Sequence, residues 1–533
     1  MARSRHLSQL VVLCSWLAAA MPLAAQERPA AALVTVDGFR VTGNTLLPQR
    51  LIDATLAPFV GQRSFADLES AAAAVQALYA QAGYGAVVAF LPPQAAAGGQ
   101  VAINVVEGRI ASVSVRGAQR YSEGGIRASL PALRVGATPE VRRIDTQLQM
   151  ANENPGKQLK VLLQPGAQSG EVDAQINVEE RAPQRWTLAL DNTGNERTGE
   201  LRSSLGWQHA NIGGRDDVLS AQLQTSPDKP DRVKVLSLGY RHPLYERLLM
   251  LDAYLAYSDV DGGSTTTAAG DLRFNGRGRL FGLRAGWYLP RWGQADQRLV
   301  LAIDQRTYLN DCSISGLPAG ACGASGESVA LQPLSLEYSL QSAGAVAWGL
   351  NVGLSGNLHL GGRHSGVASF DAVRTGARPR YTALRVSGFA GTAVFNDWNL
   401  QGRAAGQWSA DALVPGEQFG VGGATTVRGY RERERVGDRG LLVSVELAAP
   451  PFGGDDAPAW RLLAFADAGA VHNLLGAPCQ AGRTRCTLAS VGVGARLVAG
   501  RTQLRIDVAQ ALREGSATAR HALRAHVALG HSF

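Results

Sequence analysis

"RWTLALDNTGNERTGELRSSLGWQHANIGGRDDVLSAQLQTS", residues 185–226, decides how the C-terminal two-thirds of this chain folds. Trp186, Leu188 and Leu190 fall on one side of a period-two pattern, with Thr187, Ala189 and Asp191 on the other. Runs of about ten such residues, broken by Asn, Gly and Asp clusters, are the pattern of strands in a transmembrane barrel rather than of helices. The same texture continues to the end of the chain through "RVKVLSLGYRH", "LLMLDAYLAYSD", "RLFGLRAGWYLP", "WRLLAFADAGAV" and "ARHALRAHVALGHSF". Sixteen candidate strands can be counted from Arg185 to Phe533. The connections between them alternate. Long ones lie at 259–277, 310–327, 358–379, 410–438 and 472–486, and short ones include "FND" at 395–397 and "AGR" at 499–501. Outer-membrane barrels pair short periplasmic turns with long outer loops. An even strand count brings both barrel ends to the periplasmic side. A soluble β-sandwich, the competing reading, would carry shorter strands and polar loops at both ends.

Composition agrees. Apolar residues make up 45% of the 533, charged residues only 18%, and there are 62 glycines. The net charge of +8 is spread along the chain without a Lys/Arg block, so nothing marks a nucleic-acid partner. No internal run approaches 18 apolar residues, so a membrane would be crossed by strands. "GxxxxGK[ST]", "HExxH" and "GxSxG" patterns are absent and the nine His are scattered. The expectation is a protein that is no enzyme, with no cofactor and no metal site.

Residues 1–25 read as a secretory signal: Arg3 and Arg5, a short apolar core from Leu10 to Ala20, and small residues in "MPLAAQ". An N-terminal anchor helix is the rival, opposed by the shortness of the core and the polar "QERP" that follows. A short segment, 26–32, precedes the first folded unit. Beyond Cys14 the cysteines form two close pairs, Cys312/Cys322 and Cys479/Cys486, in Gly/Pro/Ser-rich loops. In an oxidising compartment these are candidate loop-closing disulfides. Zinc is the alternative, but neither CxxC spacing nor a suitable His is present.

Between the signal and the barrel the chain repeats itself at roughly 70 residues, the signature of two copies of one module. In the first, 33–108, "LVTVDGFRVTGNT" is strand-like and "SFADLESAAAAVQALYAQAGY" helical, with Ser64 as N-cap and Gly83 as stop. "GAVVAFLPPQ" and "GQVAINVVEGRI" close it as strands. In the second, 109–182, "IASVSVRGAQRYS", "EVRRIDTQLQMANEN", "KQLKVLLQPG" and "EVDAQINVEER" follow the same plan, and the endings "NVVEGRI" and "NVEERAP" correspond. The fold class expected is α+β modules of order β-α-α-β-β, then a sixteen-stranded antiparallel barrel at 184–533.

"VRGY" (Val427, Arg428, Gly429, Tyr430) lies in the sixth outer loop, at about 410–438. "FADAG" (Phe465 to Gly469) lies on the thirteenth strand. Alternation there puts Phe465, Asp467 and Gly469 on one face and Ala464, Ala466 and Ala468 on the other. A carboxylate toward lipid is costly, so the Asp467 face should be the lumen. With the first barrel hairpin at 190–220 and the paired modules, these motifs resemble the two-partner-secretion transporters, the haemolysin secretion/activation family, whose modules are called POTRA domains. The resemblance covers nearly all of the chain after the signal. It implies that loop six folds back into the lumen and that Arg428 meets Asp467 there in a salt bridge. It implies a terminal Phe533, with Val527 and Leu529 on its face, read by the barrel-assembly machinery. It departs in one respect: residues 26–32 are too few for the plug helix and linker common in the family, so either this member lacks the plug or loop six occludes the pore alone, and plug-based gating is not carried over.

The function implied is secretion and activation of a large partner exoprotein, of haemolysin, adhesin or toxin type. POTRA domains would bind it in the periplasm and the lumen would pass it unfolded across the lipid of the outer membrane. A barrel-assembly factor of the same superfamily is the alternative, although such proteins carry three or more POTRA domains. A passive porin or adhesin barrel would not need tandem modules.

Overall fold

The structure, a computed structural model, describes residues 33–94, 97–196, 198–259, 263–267, 270–274, 277–309, 328–453, 458–475 and 482–533. The signal segment, residues 26–32, Cys312, Cys322 and Cys479 lie outside the described residues. The chain divides into two compact units. One ends at Gln81 and adds Val87–Glu107; the other takes Ala82–Ala86 and Gly108–Phe533.

In the first unit Gly38–Thr42 runs parallel to Gln100–Glu107, which pairs antiparallel with Val87–Phe90. Helices Gln49–Leu56 and Phe65–Gln81 cover this sheet. Ser64 caps the second helix reciprocally with Asp67: the Ser64 N–H and hydroxyl donate to the carboxylate, and the Asp67 N–H returns a bond to the hydroxyl. The stretch read as one strand, "LVTVDGFRVTGNT", is broken at Asp37. Val34–Val36 leaves the sheet and pairs with Gly61–Arg63, because the Asp37 N–H is taken by the Gly99 carbonyl.

The second module repeats the design. Arg109–Arg116 runs parallel to Glu171–Glu180, which pairs antiparallel with Lys157–Pro165, and helices Glu123–Ala128 and Val141–Asn152 lie between. The repeat extends to single atoms. After the first strand the chain turns at Gly43 (φ 82°) or Gly117 (φ 87°), where a Cβ would collide with the carbonyl of Val105 or Val178. The carboxylate ending the last strand then receives the turn. Glu107 accepts from the N–H groups of Thr45 and Leu46, and Glu180 from those of Gln119, Arg120 and Tyr121. This is what the matching "NVVEGRI" and "NVEERAP" endings do. Partial burial pushes both carboxyls up, but the converging donors, the Thr45 hydroxyl and N–H groups at Glu107 and the N–H groups at Glu180, outweigh it and hold them below the usual range.

The second module is fastened to the barrel through a buried joint. Lys157 Nζ donates to Asp216 Oδ2 and to Ser129 Oγ (2.8 Å), and Ser129 and Tyr245 hydroxyls donate to the same Asp216 oxygen at 2.6 and 2.9 Å. Asn154 Nδ2 donates to the carbonyls of Ala210 and Asp216. Asp216 sits at φ 64°, a conformation Asp tolerates and that these partners fix. Burial pulls the Lys157 ammonium below its ordinary value despite the facing carboxylate. The 210–217 connection is therefore longer than a simple periplasmic turn: it is a plug for this joint.

From Gln184–Asp191 to Leu523–Ser532 the chain forms one closed antiparallel barrel of 16 strands. The last strand pairs with the first (Leu529 with Leu190, Gly530 with Ala189), and the Phe533 N–H donates to the Trp186 carbonyl at 2.9 Å. Alternation sorts the faces as period two requires: Leu236 and Leu238 are exposed on the outer wall, while Val235 and Ser237 are buried on the inner. No helix among the described residues is long and apolar enough to cross a membrane. Two of the connections read as plain loops carry structure of their own, a hairpin (Gly263–Thr267 with Gly270–Phe274) and the helix Val367–Val373. Short segments of this kind have no long periodicity to betray them.

Two outcomes are expected. Glu180→Gln should raise the exchange rate of the Gln119 to Tyr121 amides at neutral pH. In the parent protein their protection, present above the unfolded-state carboxyl pKa of about 4.3, should fade as pH falls through the lower folded value, because a depressed pKa stabilises only the ionised state. Lys157→Ala should weaken the joint by about 3 kcal/mol, since it leaves a buried carboxylate without its counter-charge. Faster proteolysis at residues 181–183 would report it.

Candidate functional site

Loop six runs from the eleventh strand, Asn399–Ser409, to the twelfth, Arg439–Ala448. It carries its own hairpin, Phe419–Val421 with Arg435–Gly437. Its tip is buried: Val427, Arg428 and Tyr430 are each 0% exposed. Gly429 turns the chain between the two large side chains at φ 90°, and a Cβ there would press on Ala509.

Arg428 faces the thirteenth strand, Ala459–His472. Nε and Nη2 donate to Asp467 Oδ2 and Oδ1 at 2.7 and 2.8 Å, and the Arg428 N–H adds a third bond at 3.1 Å. This fork is the geometry that favours Arg over Lys. Nη1 lies 2.7 Å from Glu446 Oε1 and 3.7 Å from Asp507 Oδ1, and Ser444 Oγ donates to Asp467 Oδ1 at 2.6 Å. The guanidinium lies 3.3 Å from the ring centroid of Phe465, which supplies its aromatic face. Gly469, next inward on the strand, leaves the space that Val421 and Val427 fill. All four "VRGY" residues and Phe465, Asp467 and Gly469 are thus brought together.

Tyr430 finds its receiver in the wall beyond. Its hydroxyl is 2.8 and 2.7 Å from the carbonyls of Ala489 and Arg513, one of which takes its proton, and it accepts from the Arg513 N–H at 3.2 Å. Its ring packs with Val421, Val427, Leu442, Leu488 and Cys486. Cys486 is disulfide-bonded, and its expected partner Cys479 lies outside the described residues.

Further anchors were not singled out from sequence. Gly429 donates to His526 Nε2 at 3.0 Å. Glu417, at the root of the loop, holds Arg306 at 2.7 Å and Arg385 at 3.2 Å. Asp438 at the other root is fully buried, accepts from Arg374, and takes the N–H groups of Leu413 and Leu474, tying loops five, six and seven. Glu434 receives Ala517 and Thr518 of loop eight. Alternation alone puts Ser444 and Glu446 on one face of a strand and would have nominated them with Asp467. Nothing local in the sequence nominates Glu417 or Asp438, whose partners lie on other strands and loops.

Asp467→Ala leaves Arg428 buried beside fewer counter-charges and should cost about 3–5 kcal/mol of loop anchoring. The measurement is trypsin cleavage within 431–435 of the inserted barrel, rapid in the variant and slow in the parent. Tyr430→Phe, which takes the hydroxyl from two carbonyls and from the Arg513 N–H but leaves no charge unpaired, should cost about 1–2 kcal/mol and loosen the loop less.

Comparison with known proteins places this geometry. Residues 170–497, more than half of the chain, match the family model described as haemolysin secretion/activation protein ShlB/FhaC/HecB, and residues 34–108 match the ShlB-type POTRA domain. An outer membrane transporter CdiB of Dickeya dadantii is 25% identical over 450 residues, 80% of this chain and 74% of the relative. A heme/hemopexin transporter protein HuxB of Haemophilus influenzae is 25% identical over 171 residues, 32% of this chain and 30% of that one. Among solved structures, CdiB from Escherichia coli superposes with a TM-score of 0.79 at 21% identity, covering 96% of this chain and 92% of that one. BamA from Haemophilus ducreyi lacking POTRA domains 1–3 superposes with a TM-score of 0.51 at 13% identity, over 94% and 100% of the two chains. Both likenesses are of fold. Two POTRA-type modules, a sixteen-stranded barrel and the family match agree: this chain is an outer-membrane barrel protein of the haemolysin secretion/activation family, the two-partner-secretion transporters.

Proposed function

We propose that the chain captures an exoprotein partner in the periplasm through its POTRA modules and passes it unfolded through the barrel, with loop six as the element that fills and organises the lumen. The observation that carries this reading is the burial of Arg428 against Asp467. A loop of this length folded inward and pinned by a desolvated fork is a device for controlling a lumen, and a passive pore has no use for it.

Capture by strand addition suits the modules. Val87–Phe90 is an edge strand of the first sheet and presents Val88 and Phe90, both exposed, on one face. An extended partner segment could add there through main-chain hydrogen bonds, with little demand on sequence. No nucleotide site is needed for the transfer: a partner that folds outside cannot slide back, so its folding free energy biases the passage outward. The long loops would then face the cell surface, and Phe533 would be the element read during assembly into the membrane.

Arg428→Ala should leave the barrel inserted and heat-modifiable but reduce surface appearance of the co-expressed partner at least tenfold. Normal secretion at normal barrel abundance would sink the proposal. Separately, Val88→Lys with Phe90→Lys should abolish co-purification of the partner's N-terminal fragment, because charge on an edge strand opposes strand addition.

A further inference from the structure

Loop six does not fill the barrel evenly. Its tip is bonded to the wall made by strands twelve to sixteen, through Glu446, Asp467, Asp507 and His526. A cavity of about 800 Å³ remains on the opposite side, between the loop and the strands from Leu249–Asp259 to Asn399–Ser409. Six arginines line it: Arg279, Arg284, Arg306, Arg385, Arg403 and Arg433. Three carboxylates face them: Asp304, Glu337 and Glu417.

The carboxylates are not equivalent. Asp304 lies on the same strand as Arg306 and is bonded to it, so it belongs to the wall. Glu417 comes from the loop. Its side chain is 1% exposed and stands between Arg306 on the seventh strand and Arg385 on the tenth. Tyr308 donates to it as well, at 3.4 Å. The loop therefore inserts a carboxylate of its own into a cationic wall. With Glu417 in place the lining counts six positive to three negative, and withdrawing it leaves six to two.

We infer that Arg306 and Arg385 form a carboxylate-receiving site in the conduit, held at rest by Glu417, and that acidic side chains of an extended polypeptide exchange with Glu417 and release the root of loop six. The inference rests on the export reading. The physical reason for exchange is that Glu417, with 1% of its side chain exposed, is held by charge-assisted bonds from two partly exposed guanidinium groups, 25% and 39% exposed, and only another carboxylate replaces those bonds in kind. The tip lock at Arg428 is a separate set of contacts, so root and tip can be released independently.

The test is ion selectivity of the purified full-length protein in planar bilayers under a potassium chloride gradient, which needs no partner. Glu417→Gln should raise chloride over potassium permeability several-fold relative to the parent, because it removes a lumenal negative charge and keeps the volume. Arg306→Gln with Arg385→Gln should shift preference toward potassium. Decaglutamate should block the Glu417→Gln channel at lower concentration than the parent and lose its effect on the double arginine variant, while decalysine blocks none of them preferentially. Unchanged selectivity in Glu417→Gln, equal block by decaglutamate in all three proteins, or no chloride current in parent and Glu417→Gln alike would each overturn the inference. A parent protein that secretes its partner yet gives any of those results would overturn this site alone. A protein that shows the selectivity but does not secrete would overturn the export reading instead.

Discussion

The buried fork between Arg428 and Asp467 is the constraint on which the rest of the lumen depends. An arginine with no exposed surface must be matched in charge and geometry, and here three donors of one residue converge on one carboxylate. That demand fixes which face of the thirteenth strand points inward. It requires Gly469 to stay small so that Val421 and Val427 can approach, and Gly429 to turn at positive φ so that Tyr430 reaches the carbonyls beyond. The ring of Phe465 closes the fork from its flat side. Each motif residue has a job that its neighbours impose.

Buried ion pairs recur at the other fixed points of the molecule, each between elements distant in the chain. Lys157 and Asp216 fasten the second module to the barrel, Glu417 bridges two strands from the loop root, and Arg374 with Asp438 gathers three outer loops. An apolar contact of similar area would hold as well, but it would not specify position. A desolvated charge accepts one partner at one geometry, which suits a loop that has to return to the same place inside a polar lumen.

The barrel itself was legible because its rule is local. Lipid outside and water inside impose a strict period of two, and Leu236 and Leu238 against Val235 and Ser237 obey it without reference to anything else. The tandem modules were legible from their matching endings, whose meaning is Glu107 and Glu180 each receiving a turn. The break at Asp37 was not, since it depends on a carbonyl more than sixty residues away, that of Gly99. Nor were the hairpin inside loop three and the helix Val367–Val373, which are too short to show a period.

The sequence by itself determined the fold class, the number of strands, the inward face of Asp467 and the pairing of Arg428 with it, because alternation and a family motif are written in neighbouring residues. Only the tertiary structure decided where Tyr430 ends, which residues hold the loop at its roots, and that the open cavity lies along the arginine-bearing strands. Those contacts join Tyr430 to Ala489 and Arg513, and Glu417 to Arg306 and Arg385, residues separated by tens of positions to more than a hundred. Barrel closure brings them together, and no pattern along the chain encodes that distance.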